Sequence, residues 1–477
     1  MAERRLRRAH SPSGRRSARS PLADTSAFIV PDPANFPRSG LLASCPYSIA
    51  KGCFPARTHH PGCGSIDKTM GKIDRRSFLA AGITAASSLN HLLAAPGRIA
   101  VDEVLRSGIA QRKIPAVVGM IASGSRTLYA GAFGRRDSSG VPVQVDSIFQ
   151  IMSMTKAVTT VAALQLVERE KVDLDEPVAR HLPQFEKIQV LEGFDSDGTP
   201  SLRAAITAPT LRHLLTHTSG LCYDVWDEAM FRYTSKNPES PAVPGPLMFE
   251  PGKRWQYGRG LDWTGRLVEA ISGMTLEEYF QQKLFRPLGM EDTSYIMPAS
   301  KFERLVSNHQ RGQNGDLQQA DRKPPLPPKS FNGGGGLYST ASDYIRFMQM
   351  ILNHGTGPNN TRILKANTVD SMEVNQIGAL TAGKMKTFRP NLSSDVDIQP
   401  GHTEKWGLGF LINTTRYLGG RSAGSLAWAG LYNTFYWIDP KRDLCAVIMM
   451  QFLPFVDREA VGLLNDFERV VYSATLG

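Results

Sequence analysis

Phe149-Gln150-Ile151-Met152-Ser153-Met154-Thr155-Lys156 opens the stretch whose reading decides the fold. From Ser153 to Lys171 the apolar residues Val158, Val161, Ala162, Leu164, Leu166 and Val167 recur at helical spacing, with no Gly or Pro to interrupt them. Residues three apart share one face of a helix, so the Ser153 hydroxyl and the Lys156 amine come within reach of each other. A serine hydroxyl becomes a nucleophile when a neighbouring base takes its proton. Unpaired N–H groups at a helix start add stabilisation for developing negative charge. Ser-x-x-Lys alone arises often by chance. Here an apolar lead-in and a long buried-type helix frame it.

Outward from this helix the chain reads as strands at both ends and helices between. Residues 99–112 read as an amphipathic helix, and 116–123 and 126–134 as a hairpin about Gly124-Ser125. Helical stretches follow at 209–217, 261–272, 275–285 and 341–354, while the Pro- and Gly-rich run 322–336 suits neither regular state. Strands return at Trp406–Asn413, Ser425–Leu431, Thr434–Asp439 and Leu444–Gln451, and a helix over 457–474 closes the chain. The expectation is an α+β fold: one antiparallel sheet formed from both chain ends, flanked by helices, with a mainly helical lobe inserted.

Two further residues carry chemistry. Tyr257 lies in Glu250-Pro251-Gly252-Lys253-Arg254-Trp255-Gln256-Tyr257-Gly258-Arg259, just before the helix from Leu261. A phenolate beside a lysine can act as a general base, whereas an unaided loop tyrosine simply packs its ring. Trp428-Ala429-Gly430 falls on a C-terminal strand whose edge can lend a backbone N–H to an oxyanion hole; unaided, Trp428 is a core aromatic.

Ser153-x-x-Lys156, Tyr257 and Trp428-x-Gly430, in that order, resemble the serine β-lactamase and penicillin-binding superfamily. Within it the chain looks like the class C-related branch and most like the family VIII carboxylesterases. Further matching stretches are Leu211–Leu221, Phe249–Gly252, Pro287–Met290 and Gly334–Thr340, and the resemblance spans about 100–475. It implies a β-lactamase/DD-peptidase-like fold and an acyl-enzyme on Ser153. Lys156 and Tyr257 would share proton transfer, and the backbone N–H groups of Ser153 and Leu431 would form the oxyanion hole. Neither an organic cofactor nor a metal is implied, and the partner is a small-molecule ester. Where β-lactamases usually carry Tyr-x-Asn and Lys-Thr-Gly, this chain has Arg259 and Trp428-Ala429-Gly430. The residues that would bind a β-lactam's carboxylate and side chain are therefore replaced, and Trp428 suits a neutral, apolar ester. The expected activity is cleavage of short-chain carboxylic esters. Alternatives are a β-lactamase or D-amino-acid-type peptidase, an acyltransferase, and an inactive sensor or binding module.

Tyr223, Trp226, Phe231 and Tyr233 can line an acyl pocket or pack in the core; Tyr223, Trp226, Trp428 and Gly430 are taken as the substrate-binding set. His213 and His217 read as structural. Cys222 and Cys445 read as free thiols.

Charge and composition bound the rest. Residues 1–69 hold 11 Lys+Arg against 4 Asp+Glu, and the other 408 residues hold 44 against 40, so the net charge of +11 belongs mostly to the N-terminal segment. No basic face on the body calls for nucleic acid. Residues 1–69 read as a solvated basic tail, or as translated sequence upstream of a start at Met70. The spacing of Cys45 and Cys53 is too wide for a zinc knuckle with His59, His60 and Cys63. Residues 70–97, with Arg75-Arg76-Ser77-Phe78-Leu79 before an apolar stretch, resemble a twin-arginine export signal. Export to the periplasm or medium is expected if translation starts at Met70, and a cytoplasmic location otherwise. The hydrolase domain is then 98–477, with no stretch of 18 uninterrupted apolar residues to span a membrane. The sequence does not fix the oligomeric state.

Overall fold

The computed structural model describes residues 95–238, 242–312 and 314–473. The basic segment, the twin-arginine-like stretch and Cys45, Cys53 and Cys63 lie outside the described residues. The chain enters with helix α1 (Ala95–Ala110) and the hairpin β1 (Ala116–Ala122) and β2 (Thr127–Gly134). The helices α2 (Thr155–Glu168), α3 (Gly260–Ser272) and α4 (Ala341–Leu352) follow. The chain then returns through β3 (Glu404–Trp406), β4 (Leu411–Asn413), β5 (Leu426–Gly430), β6 (Thr434–Asp439) and β7 (Leu444–Met449) to helix α5 (Arg458–Ser473).

These seven strands form one sheet in the order β2-β1-β7-β6-β5-β4-β3, every pair antiparallel. Its centre joins the two chain ends, with Val118 opposite Met449 and Gly119 opposite Ile448. The expected sheet built from both ends is thus present. Strands β1, β6 and β7 are buried along their whole length, because helices cover both faces. Successive residues of β6 show this: Tyr436 meets Tyr344 of α4 at 5.0 Å between ring centres, while Trp437 on the opposite face meets Phe467 of α5 at 5.8 Å. Gly119 lets α1 and α5 close on the sheet; a Cβ there would sit 2.9 Å from Leu105 and 3.2 Å from Phe467.

Two sequence expectations change. The single strand expected over Trp406–Asn413 is two strands, β3 and β4, folded back on each other with Leu411 opposite Trp406. Gly407-Leu408-Gly409-Phe410 makes the turn: the Gly407 N–H donates to the Phe410 carbonyl at 2.8 Å, and Gly409 takes φ +82°. Second, Ser153 does not lie in the long helix itself but in a 3-10 turn, Met152–Met154, that leads into α2. Helix α2 is buried on every side from Thr155 to Leu166, which is why its sequence is apolar all round rather than striped. The run 322–336 is irregular, as its Pro and Gly content demands. Among the described residues no helix is long and apolar enough to cross a membrane.

Candidate active site

The 3-10 turn sets the position of Ser153. Met152 adopts φ +46°, a left-handed conformation rare for a residue with a side chain, and the tight turn leaves Ser153 only half-buried ahead of the buried α2. One turn further along, Lys156 is 1% exposed, and its amine has three acceptors around it: Ser153 Oγ at 3.2 Å, Tyr223 Oη at 3.2 Å and the Gly334 carbonyl at 2.6 Å. A buried ammonium is tolerated where each N–H finds an acceptor, and three N–H groups meet three oxygens here. The Gly334 carbonyl comes from the glycine-rich loop, which is locked to α2 a turn later by Thr159 Oγ1 donating to the Gly333 carbonyl at 2.6 Å. Gly334 must be glycine: a Cβ would fall 1.6 Å from Asp262 Oδ1.

Tyr257 also borders Lys156. The ammonium lies 4.9 Å from the centre of the Tyr257 ring and 5.1 Å from that of Tyr223. The Tyr257 oxygen accepts from Trp428 Nε1 at 3.1 Å. Trp428 is itself buried, with Trp406 at 4.8 Å between ring centres. It therefore orients Tyr257, a contact that sequence reasoning did not foresee when it assigned Trp428 to the substrate. Gly430, two residues on, brings the end of β5 against the turn before Ser153, since a Cβ there would lie 2.3 Å from the Ile151 carbonyl oxygen. Leu431 follows directly, half-buried.

The aromatic cluster continues through Trp226, whose ring is 5.4 Å from Tyr257 and whose Nε1 donates to Ser393 Oγ at 3.1 Å. Phe231 lies apart from it, stacked on Phe388 at 6.2 Å. His217 packs beneath Tyr257 at 4.5 Å between ring centres and accepts at Nδ1 from the Gly258 N–H at 3.3 Å. Burial, with the Lys156 charge adding to it, pushes the His217 imidazole well below its ordinary range, so it is a neutral packing group. That agrees with a structural reading. His213 likewise belongs to a helix start, where it closes a capping box with Thr210. Cys222 and Cys445 are free and buried, and burial pushes both thiols up.

Tyr223 comes closer to the chemistry than its sequence reading allowed. Besides accepting from Lys156, its hydroxyl donates to Asp262 Oδ1 at 2.8 Å. Burial, then the nearby Asp262 charge, raises its phenol well above the ordinary value, so it remains a hydroxyl donor. Asp262 sits in the first turn of α3 and pairs with Arg259, Nε to Oδ2 at 3.7 Å. Neither Asp262 nor Gly334 stood out as a site residue. Asp262 lies five residues after Tyr257, but only tertiary packing brings it to Tyr223. Among the described residues no group of three His, Cys, Asp or Glu side chains is arranged to hold a metal ion.

Comparison with known proteins matches the chain to a family. Monacolin J acid methylbutanoyltransferase of Aspergillus terreus is 31% identical over 411 residues, covering 81% of this chain and 98% of that protein. Lovastatin esterase of Penicillium rubens is 30% identical over 379 residues, covering 74% and 90%. The unliganded structure of simvastatin synthase from Aspergillus terreus superposes with a TM-score of 0.69 at 30% identity, covering 80% of this chain and all of that one. With the beta-lactamase family model matching residues 101–468 as well, the chain belongs to the beta-lactamase family, among its serine hydrolases and acyltransferases.

Proposed function

We propose that the protein cleaves short-chain carboxylic esters through an acyl-enzyme on Ser153. The observation that carries this reading is the buried Lys156 amine 3.2 Å from a half-buried serine oxygen. Ser153 Oγ attacks the ester carbonyl carbon, and its proton passes to the Lys156–Tyr257 pair, which acts as one coupled base. Within the pair the Tyr257 oxygen, as a phenolate, is the atom that takes the proton. Trp428 Nε1 donates to that oxygen, and the Lys156 amine lies 4.9 Å from the centre of the Tyr257 ring. The N–H groups of Ser153 and Leu431 receive the carbonyl oxygen as it becomes an oxyanion. Collapse of the tetrahedral adduct breaks the bond to the leaving alcohol, which takes the proton from Tyr257. Water then repeats the sequence on the acyl-enzyme and releases the acid. Trp428, Trp226 and Tyr223 make the surroundings of Tyr257 aromatic, and no lysine stands at the Trp428 position to hold a β-lactam carboxylate. This favours a neutral ester over a β-lactam.

A second reading has an alcohol, rather than water, accept the acyl group. The acyltransferase name of the Aspergillus relative, aligned over nearly its whole length, favours it. Hydrolysis of p-nitrophenyl acetate, butyrate and decanoate, beside Ser153→Ala, tests the first reading; short-ester activity that vanishes with Ser153 supports it, and equal rates refute it. Adding an alcohol acceptor and resolving new ester from free acid separates the second.

A further inference from the structure

Two oxygens contact the Lys156 amine besides Ser153, and one of them is relayed. The Tyr223 hydroxyl has a single hydrogen, which goes to Asp262 Oδ1 at 2.8 Å. With that hydrogen committed, the Tyr223 oxygen can only accept from Lys156, at 3.2 Å. Were the hydrogen free to swing round, it would point at the ammonium and repel it. Asp262 is fixed in turn by Arg259 and by the Gly334 loop pressed against its Oδ1. That loop's own carbonyl takes another Lys156 hydrogen. The elements that confine Lys156 thus converge on one carboxylate.

We infer that Asp262 is a positioning residue: through Tyr223 it holds Lys156 in the orientation that serves Ser153, and its negative charge balances the Lys156 charge across two hydrogen bonds. This rests on the proposed nucleophilic role of Ser153. The titratable and charged groups facing Asp262 or Lys156 are Arg259 from the turn before α3, Tyr223 and His217 from the segment after Leu215, Tyr257 from the loop before α3, and Tyr295, which feels the charge of Asp262. Of these, Tyr223 is hydrogen-bonded to both Asp262 and Lys156.

The test is a double-mutant cycle of Asp262→Asn and Tyr223→Phe, read as kcat/KM for p-nitrophenyl butyrate across pH. Each single change is expected to lower kcat/KM about tenfold, the difference between a charge-assisted and a neutral hydrogen bond. The double variant is expected to be no worse than the poorer single, because both cut one chain of contacts. The alkaline limb of the profile moves to lower pH in Asp262→Asn, since the positive charge at Lys156 has lost its balancing carboxylate. Losses that multiply in the double variant, or a profile identical to wild type, overturn the inference, because a merely structural aspartate moves neither. Should Asp262→Asn fail to fold, Tyr223→Phe decides alone: the same displaced limb supports the relay and an unmoved limb rejects it. Failure of the underlying reading shows separately, as Ser153→Ala retaining activity and wild type taking no fluorophosphonate label at Ser153.

Discussion

Replacing Gly334 by alanine adds one methyl group and tests the whole arrangement around Lys156. The new Cβ would lie 1.6 Å from Asp262 Oδ1 and 2.9 Å from Tyr223 Oη, while a Cβ essentially never comes within 3.0 Å of a non-bonded heavy atom. The carboxylate must therefore retreat by roughly 1.4 Å, or the loop must lift by as much. The first response breaks the 2.8 Å bond from Tyr223, and the second withdraws the carbonyl that lies 2.6 Å from Lys156. Either displaces the amine from Ser153, and misplacement by about 1 Å costs on the order of a hundredfold in rate. The neighbouring Gly335 is the control, because a Cβ there meets nothing nearer than the Met152 backbone at 3.8 Å. The assay is kcat for p-nitrophenyl butyrate with thermal melting measured in parallel. The expected result is a loss of about a hundredfold in Gly334→Ala and nearly full activity in Gly335→Ala, with both folded. Activity of Gly334→Ala within twofold of wild type would refute the reasoning, since the loop would then not govern Lys156.

Trp428→Phe keeps an aromatic side chain but removes the N–H that reaches Tyr257; a lost hydrogen bond of about 1 kcal/mol predicts a kcat lowered roughly fivefold with KM little changed, checked by steady-state kinetics. Arg421 and Glu468 form a buried pair, with Nε and the backbone N–H of Arg421 both 2.9 Å from Oε1, so Arg421→Ala should cost about 3–5 kcal/mol in urea unfolding by stranding the carboxylate. Burial pushes Glu373 up to about 7, so the folded chain keeps a proton there that the unfolded chain releases. Its contribution to stability is complete below the ordinary carboxyl range and disappears as pH rises through about 7; Glu373→Gln should flatten the fall in unfolding midpoint over that window.

Much of this was legible in the sequence, for a reason that differs between elements. The hairpin β1–β2 and strand β6 carry their signal locally, in β-rich runs cut by turn residues, and β6 starts and ends where the sequence places it, at Thr434 and Asp439. Ser153 and Lys156 were legible because three-residue spacing brings their side chains together with little help from the rest of the fold. The turn that splits β3 from β4 was not, because Leu408 and Phe410 continue the apolar run and only the two glycines betray the bend. Asp262 and Gly334 escaped because their meaning lies in what crosses from elsewhere: each is local polar or glycine-rich loop chemistry until Tyr223 and Lys156 arrive from some 40 and 180 residues away. Trp428 was singled out, yet its bond to Tyr257 depends on the packing of β5 against the aromatic cluster, which no pattern encodes.

The pairing of β1 with β7 has a consequence for how the chain comes to be active. On one side Val118 pairs locally with Ala132, but on the other its partner is Met449, so the centre of the sheet cannot zip until nearly the whole polypeptide has been synthesised. Helix α2 and its neighbours can gather earlier, but the end of β5, which packs against the turn before Ser153, arrives with the last strands. During translation Ser153 therefore waits beside an unfinished wall. A nascent chain stalled before β5 carries Ser153 and Lys156 without Leu431, so the proposed site is completed in a late step of assembly rather than growing with chain length.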